Sequence, residues 1–323
     1  MITLYNTAIG SFNLGDQIIM EAVKEQLEEI FIEDTFINYA THYPMSKYAA
    51  NKANTNKLAF VGGTNLLQAH WDTKPKNNQW MIGFFESFFM SPVVLIGCGW
   101  SAYSNRTTYK AKKLYKNILS QQSLHSVRDD YTEKKLRHLG IKNVVNTACP
   151  TMWKMNEDFL CEVRTKKSDS VVFTLTDYNK NYELDTKLIN LLSNYYSQIY
   201  FWPQGSGDLE YLKELEQNFP SVKLDNINIL CHNLRSYDNV LKNIEIDFIG
   251  TRLHAGIRAI QFKQRSIIIG IDNRAYEMGK DFKLNVIDRN NLDCLESYMK
   301  NNLKVEISIP LDNINIWKSQ FKK

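Results

Sequence analysis

The sequence predicts an α/β fold of two Rossmann-like domains facing a central cleft. Three observations lead there. The chain has 323 residues, 44% hydrophobic and 23% charged, which is ordinary globular composition on a length better served by two cores than by one. Short apolar runs alternate with helical patterns along the whole chain, the signature of parallel sheets covered on both faces. Several of the apolar runs end in glycine, and in such sheets ligands bind beyond the carboxyl ends of the strands.

MITLYNTAI opens as a strand, and QIIMEAVKEQLEEIF sets Ile18, Ile19, Ala22, Val23, Leu27 and Ile30 on one helical face. KLAFVGG and SPVVLIGCG read as buried strands. TTYKAKKLYKNILS and YTEKKLRHLG read as helices, the second closed by Gly140, and KNVVNTACP as a short strand. MIGFFESFFMSPVVLIG is the most apolar stretch. Glu86 and Pro92 interrupt it, so it reads as a core helix followed by a buried strand, not a membrane span. Polar residues dominate from 156 to 168, the expected linker. SVVFTL, QIYFWPQG, IEIDFIG and RSIIIGID then read as strands, with helices at DTKLINLLSNYYSQ, LEYLKELEQNF and from about His254. The expected domains are therefore 1–155 and 165–300, with a helix at 309–323 returning to the first.

Net charge is +4 and no dense Lys/Arg block is present, so no nucleic-acid groove is expected. A small anionic substrate or an anionic membrane surface suits the charge. Cys98, Cys149, Cys161, Cys231 and Cys294 form no CxxC and no metal-ligand spacing. They read as reduced thiols, with neither a metal nor a redox cofactor expected. The opening residues lack a basic n-region and an apolar h-region, so no signal peptide is expected.

Six strand-end constellations carry polar groups. In GSFNLGDQII, Asn13 and Gly15 suit a turn and Asp16 suits the N-cap of the following helix; a ligand loop is the alternative. The spacing fits neither GxGxxG nor a phosphate-binding P-loop. VGGTN offers Gly62, Gly63, Thr64 and Asn65, and GCG offers Gly97 and Gly99; each serves tight packing or close approach to a ligand. In SVRDD, Arg128 pairs with Asp129 or Asp130, or meets an anion. YFWPQGSGD brings Gln204 with Gly205 and Gly207. GTRLHAG puts Arg252 and His254 where a buried strand becomes a helix. An unpartnered arginine there costs several kcal/mol, so Arg252 is expected to meet a carboxylate of the protein or of a ligand. His125, three residues before Arg128, is the reserve acid–base candidate.

NLGD at 13–16, VGGTN, GCG, SVRD and above all GTRLHA, in this order over about residues 8–280, resemble the polysaccharide pyruvyl transferases. The resemblance implies a GT-B-like fold, with the acceptor side in the first domain and the donor side in the second. It implies a cytoplasmic enzyme, working in solution or at the inner face of the cell membrane with at most peripheral contact. The implied reaction moves pyruvate from phosphoenolpyruvate to a sugar of a surface polysaccharide (exopolysaccharide or capsule), the acceptor free or linked to undecaprenyl diphosphate. His254 would protonate the donor, Arg252 would grip it and Asp16 would activate the acceptor hydroxyl. Asn13, Gly15, Gly62, Gly63, Thr64, Asn65, Gly99, Arg128, Gln204 and Arg274 would bind substrate. The chain departs from the family pattern at Cys149–Pro150, where Asp-Pro is usual. It departs again at Ile271–Asp272–Asn273–Arg274, where Tyr-Asp-x-Lys is usual. The rival readings are a GT-B glycosyltransferase, a nucleotide-sugar epimerase and a non-catalytic sugar- or anion-binding protein.

Overall fold

The structure is a computed structural model that describes residues 1–71 and 78–322. The chain forms two compact units, one of Met1–Ser11, Ile19–Trp153 and Ile309–Lys323, the other of Phe12–Ile18 and Lys154–Ser308.

In the first unit, β1 (Ile2–Asn6), β2 (Phe36–Ala40), β3 (Leu58–Gly62) and β4 (Val94–Ile96) make a parallel sheet in the order β2–β1–β3–β4. Helix α1 (Gly15–Ile30) follows β1, and α2 (Lys47–Ala53) precedes β3. Beyond β4 come α3 (Tyr109–Ile118), β5 (His125–Val127), α4 (Asp130–His138) and β6 (Val144–Asn146), with β5 and β6 paired in parallel. β4 meets β5 through two side chains and, just beyond β4, a backbone bridge. His125 Nδ1 accepts from the Leu95 amide at 3.1 Å and Ser126 Oγ from the Gly97 amide at 2.9 Å, and Cys98 bridges to Val127. The helical period of TYKAKKLYKNI buries Ala111, Leu114, Tyr115 and Ile118, and Thr108 caps α3 through the Ala111 amide.

After Lys154 the second unit continues with the short helix α5 (Glu157–Cys161), inside the stretch expected to be linker. Then follow β7 (Ser170–Thr174), α6 (Tyr182–Tyr195), β8 (Gln198–Phe201), α7 (Asp208–Asn218), β9 (Ile227–Ile229), α8 (Leu234–Asn243), β10 (Asp247–Gly250), α9 (Leu253–Gln261), β11 (Ser266–Gly270), α10 (Asn273–Phe282), β12 (Val286–Asp288) and α11 (Leu295–Lys300). The strands form one parallel sheet in the order β12–β11–β10–β7–β8–β9. Counted within the unit this is 6-5-4-1-2-3, the doubly wound arrangement, whose direction reverses between β7 and β10. The strands read as near-continuous apolar runs because both faces are covered; β10 and β11 are buried at every residue. Gly256 lets α9 lie close on the sheet, since a Cβ there would collide with Ile268 and Phe248.

The last helix, α12 (Leu311–Ser319), packs in the first unit. Its fully buried Trp317 meets the rings of Phe60, Trp153 and Phe321.

Two expectations are corrected. Residues 81–90 form no core helix but a single 3-10 turn, Glu86–Phe88. Ser87 is the buried residue there, its hydroxyl held by the Phe84 carbonyl, and Phe85, Phe88 and Phe89 point to solvent. Second, the loop 12–18 belongs to the second unit, although β1 before it and most of α1 after it belong to the first.

Candidate active site

The reversal point of the second sheet gathers polar side chains from four strand ends. Loops leave β7 and β10 in opposite directions there, opening the crevice where doubly wound sheets take their ligands. Arg252 is the residue before α9, and His254 lies in its first turn; both are buried. Arg252 Nε donates to Asp208 Oδ2 at 2.9 Å and to the Leu175 carbonyl at 3.1 Å. Its Nη2 donates to Asp208 Oδ1 and, at 2.8 Å, to Asp177 Oδ1. The expected carboxylate is thus the protein's own, and the fork is not open for a bidentate grip on a ligand. Nη1 has no hydrogen bond among the described residues. The bidentate grip on the donor that the resemblance implied for Arg252 is corrected accordingly: a buried guanidinium needs a fixed counter-charge, and the α7 N-terminus supplies one.

Asp208 is fully buried and accepts from the amides of Gln204, Gly205 and Asp177 at 3.1, 2.7 and 3.1 Å. Burial raises its pKa; the Arg252 charge and these hydrogen bonds oppose that rise. Gly205 and Arg252 are in such close contact that a Cβ on Gly205 would overlap Nη2.

Asn13, Gly15, Asp16 and Gln204 join this cluster. Leu14 N donates to the Gln204 carbonyl at 2.9 Å, Ser206 N to the Phe12 carbonyl at 3.0 Å, and Gln204 Nε2 to Asn13 Oδ1 at 2.7 Å. Asn13 Oδ1 also accepts from Gly15 N at 3.1 Å, and a side chain on Gly15 would strike Gln204. Helix α1 begins at Gly15, so Asp16 sits in its first turn and not at the N-cap, and it is buried.

Arg274, in the first turn of α10, donates through Nε to Asp272 Oδ2 at 2.9 Å and through Nη2 to the same oxygen and to the Tyr178 hydroxyl. Burial opposes its charge, yet Tyr178, Asp272 and, at longer range, Asp16 hold its pKa above the ordinary value. The Tyr178 ring lies 5.1 Å from the Arg252 guanidinium carbon and 5.9 Å from that of Arg274, a cation–π contact with each.

The first unit holds a separate cluster. Arg128 is buried at the end of β5. Its Nε donates to Asp129 Oδ2 at 3.1 Å and its Nη2 to Asn65 Oδ1 at 2.6 Å, while Nη1 is buried with no hydrogen-bond partner. Asp129 caps α4 through the Thr132 amide. Gly99 lies flat against the Arg128 guanidinium, with no room for a Cβ. Thr64 is buried in a left-handed conformation (φ 45°), its hydroxyl 3.2 Å from Gln79 Oε1. Gly62 and Gly63 do not offer the ligand approach expected of them. The space beside them is filled by Met20, Val23 and Ile19 of α1, which makes them packing residues. His125 is also removed from the candidates. It is fully buried at the start of β5, with Nε2 bonded to the Ser120 carbonyl at 2.8 Å and Nδ1 used by Leu95, and burial pulls its pKa down to about 4.

Asp208, Asp177 and Tyr178 are site residues that reading the sequence missed. Asp208 is the last residue of YFWPQGSGD and opens a helix, which was the available signal; Asp177 and Tyr178 carry none. Among the described residues no group of three His, Cys, Asp or Glu is arranged to hold a metal ion, and no helix is long and apolar enough to cross a membrane.

The fold is shared with a UDP-GlcNAc 2-epimerase of Methanocaldococcus jannaschii, crystallised with UDP-GlcNAc and UDP. It is 15% identical, with a TM-score of 0.52 over 99% of this chain and 98% of that one. The UDP-GlcNAc 2-epimerase of Neisseria meningitidis, at 12% identity over 100% and 99% of the chains, scores 0.49. The first of these likenesses describes a GT-B-type architecture. No curated protein matches the sequence. The family model described as polysaccharide pyruvyl transferase matches residues 13–273, a span that runs from the Asn13 loop through Arg128, Arg252 and His254 to the start of α10, and the chain belongs to that family.

Proposed function

We propose that the protein transfers pyruvate from phosphoenolpyruvate to two hydroxyls of a saccharide, forming a ketal on a unit of a surface polysaccharide. The acceptor is a free glycan or one carried on a lipid such as undecaprenyl diphosphate, and the reaction belongs in the cytoplasm, where the donor is made. The observation that best supports this reading is His254 in the first turn of α9, beside an Arg252 immobilised by two carboxylates and in the same unit as Arg274. Phosphoenolpyruvate carries a carboxylate and a phosphate, and its C3 needs a proton before C2 becomes electrophilic.

Histidine, with an ordinary pKa near about 6.5, suits that acid role at neutral pH. In our reading His254 protonates C3, and the first sugar hydroxyl adds to C2 as Asp16 takes its proton. The C2–O bond to phosphate then breaks and the second hydroxyl closes the ketal. One of the two hydroxyl protons is balanced by the proton gained at C3, and the other leaves with phosphate. Arg252 contributes fixed positive charge through Nη1, and Arg274 and the N-terminus of α9 meet the donor's anionic groups. Asn13, Gly15 and Gln204 hold the loop that carries Asp16. In the first unit, Arg128 with Asn65, Thr64 and Gly99 provides a polar contact for substrate.

Incubation with phosphoenolpyruvate and candidate acceptors, read by mass spectrometry, tests this. The expected result is an acceptor heavier by one pyruvate ketal, with one phosphate released for each. Turnover of a nucleotide sugar instead would give the site to a glycosyltransferase or epimerase reaction. Binding without turnover of either donor would make the chain a binding protein.

A further inference from the structure

Residues 35–128 hold eleven Lys and Arg but only two acidic residues, Asp72 and Glu86, a net +9 within a chain whose total is +4. Six of these, Lys47, Lys52, Lys110, Lys112, Lys113 and Lys116, are exposed on the two helices that flank an unusual apolar surface. Phe85, Phe88 and Phe89 are 62%, 51% and 58% exposed around the 3-10 turn. Helix α3 packs against that turn, with Asn117 donating to Ser87 Oγ at 3.2 Å and Lys113 Nζ lying 5.7 Å from the Phe88 ring centre. Lys110, Lys113 and Asn117 recur at helical spacing on one stripe of α3, Lys112 and Lys116 stand exposed on its flank, and the helix has no acidic residue. Asn54, the C-cap of α2, ties the same turn down from its other side. Its Nδ2 donates to the Phe89 carbonyl at 2.6 Å, and its Oδ1 accepts from Ser91 N at 2.7 Å. Exposed Lys47, Lys52 and Tyr48 lie on α2. Glu86, the one acid within the turn, folds back against Gly83.

We infer that this face of the first unit docks on an anionic lipid bilayer, with Phe85, Phe88 and Phe89 entering the headgroup boundary and the α2 and α3 lysines meeting lipid phosphates. Charge complementarity names the occupant. An apolar cluster alone fits many partners. Exposed phenylalanines set beside a one-signed field of lysines, in a stretch, residues 35–128, with two acidic residues, match a surface that is greasy within and negative outside. Each lysine near such a surface strengthens binding about fivefold, an effect that shrinks with salt. The inference stands whichever reaction the protein performs.

The test is co-sedimentation of the full chain with vesicles of phosphatidylcholine alone and of phosphatidylcholine mixed with phosphatidylglycerol, at low and high salt. Binding is expected only to the anionic vesicles and should weaken with salt. The exposed-lysine variant Lys110→Gln/Lys112→Gln/Lys113→Gln, its fold checked by an unchanged thermal melt, should bind roughly a hundredfold more weakly, about fivefold for each lysine. Phe85→Ser/Phe89→Ser should lose binding with an unchanged thermal melt, leaving Phe84 and Phe88 in place to pack. Equal binding to both vesicle types, no binding, or a lysine variant that binds like wild type would overturn the inference. So would concentration-dependent self-association in sedimentation velocity abolished by the same changes, which would assign the face to a second copy.

Discussion

Arg252 and Asp208 are joined fork to fork, Nε to one carboxylate oxygen and Nη2 to the other, with both side chains buried at the reversal point of the second sheet. This pair holds three loops at once, because Asp208 also binds the amides after β8 and β7. Breaking it by Asp208→Asn should cost up to about 3 kcal/mol, since the buried Arg252 then keeps only the partly exposed Asp177 as its counter-charge. Arg252→Lys keeps a charge but loses the fork and should cost about 1.5–3 kcal/mol. Urea unfolding followed by circular dichroism measures both; an Arg252→Lys protein as stable as wild type would show that the pair is not structural.

His254→Asn retains a polar side chain of similar reach but supplies no acid. Phosphate release from phosphoenolpyruvate should fall by roughly 10²–10⁴-fold while donor affinity by calorimetry stays within a few-fold. Near wild-type turnover in the folded variant would remove His254 from the acid role.

Gly99→Ala tests the Arg128 cluster without touching its charge. The new methyl must push the guanidinium off Asn65 and Asp129. Loss of one charge-assisted contact corresponds to about ten- to a hundred-fold weaker use of substrate, with the overall fold retained by circular dichroism. Unchanged kinetics would show that Arg128 does not contact substrate.

Stability should depend on pH through His125. Its folded pKa of about 4 lies below the ordinary value near 6.5, so below that value the unfolded chain takes up a proton that the native state refuses. The native state therefore loses stability as pH falls from about 6.5 towards 4, by about 2 kcal/mol between pH 7 and pH 5. Denaturant titrations at the two pH values should show this drop in wild type and a smaller one in His125→Gln.

Chelation should leave turnover unchanged, because no ligand-spaced cluster lies among the described residues. Activity abolished by EDTA and restored by one divalent ion would direct attention to Asp129 and Asp130.

Most strands of both sheets were legible, since buried parallel strands are short apolar runs and several here end in glycine. β2 was not: FINYA is an edge strand with half-exposed residues on both faces, so it lacks the apolar run. The GTRLHA stretch announced a site, but not what surrounds it. Asp208 and Asp177 lie 44 and 75 residues before Arg252 and reach it only because β7, β8 and β10 are neighbours in the sheet. The glycines misled in one place. Gly62 and Gly63 end a strand as ligand-loop glycines do, yet α1 fills the space beside them. Likewise the Asn13 loop looked like part of the first domain because it follows β1, whereas its backbone hydrogen bonds run to residues 204–206.

Helix α12 sets an order in time. A ribosome makes β1 through β6 first, then residues 154–308 of the second unit, and only then Trp317, whose indole completes the layer formed by Phe60 and Trp153. Until residues 309–322 emerge, the first unit waits with that apolar wall open, while the second unit, apart from the already synthesised 12–18 loop, is continuous in sequence and can close earlier. The earliest strands are therefore among the last to be sealed.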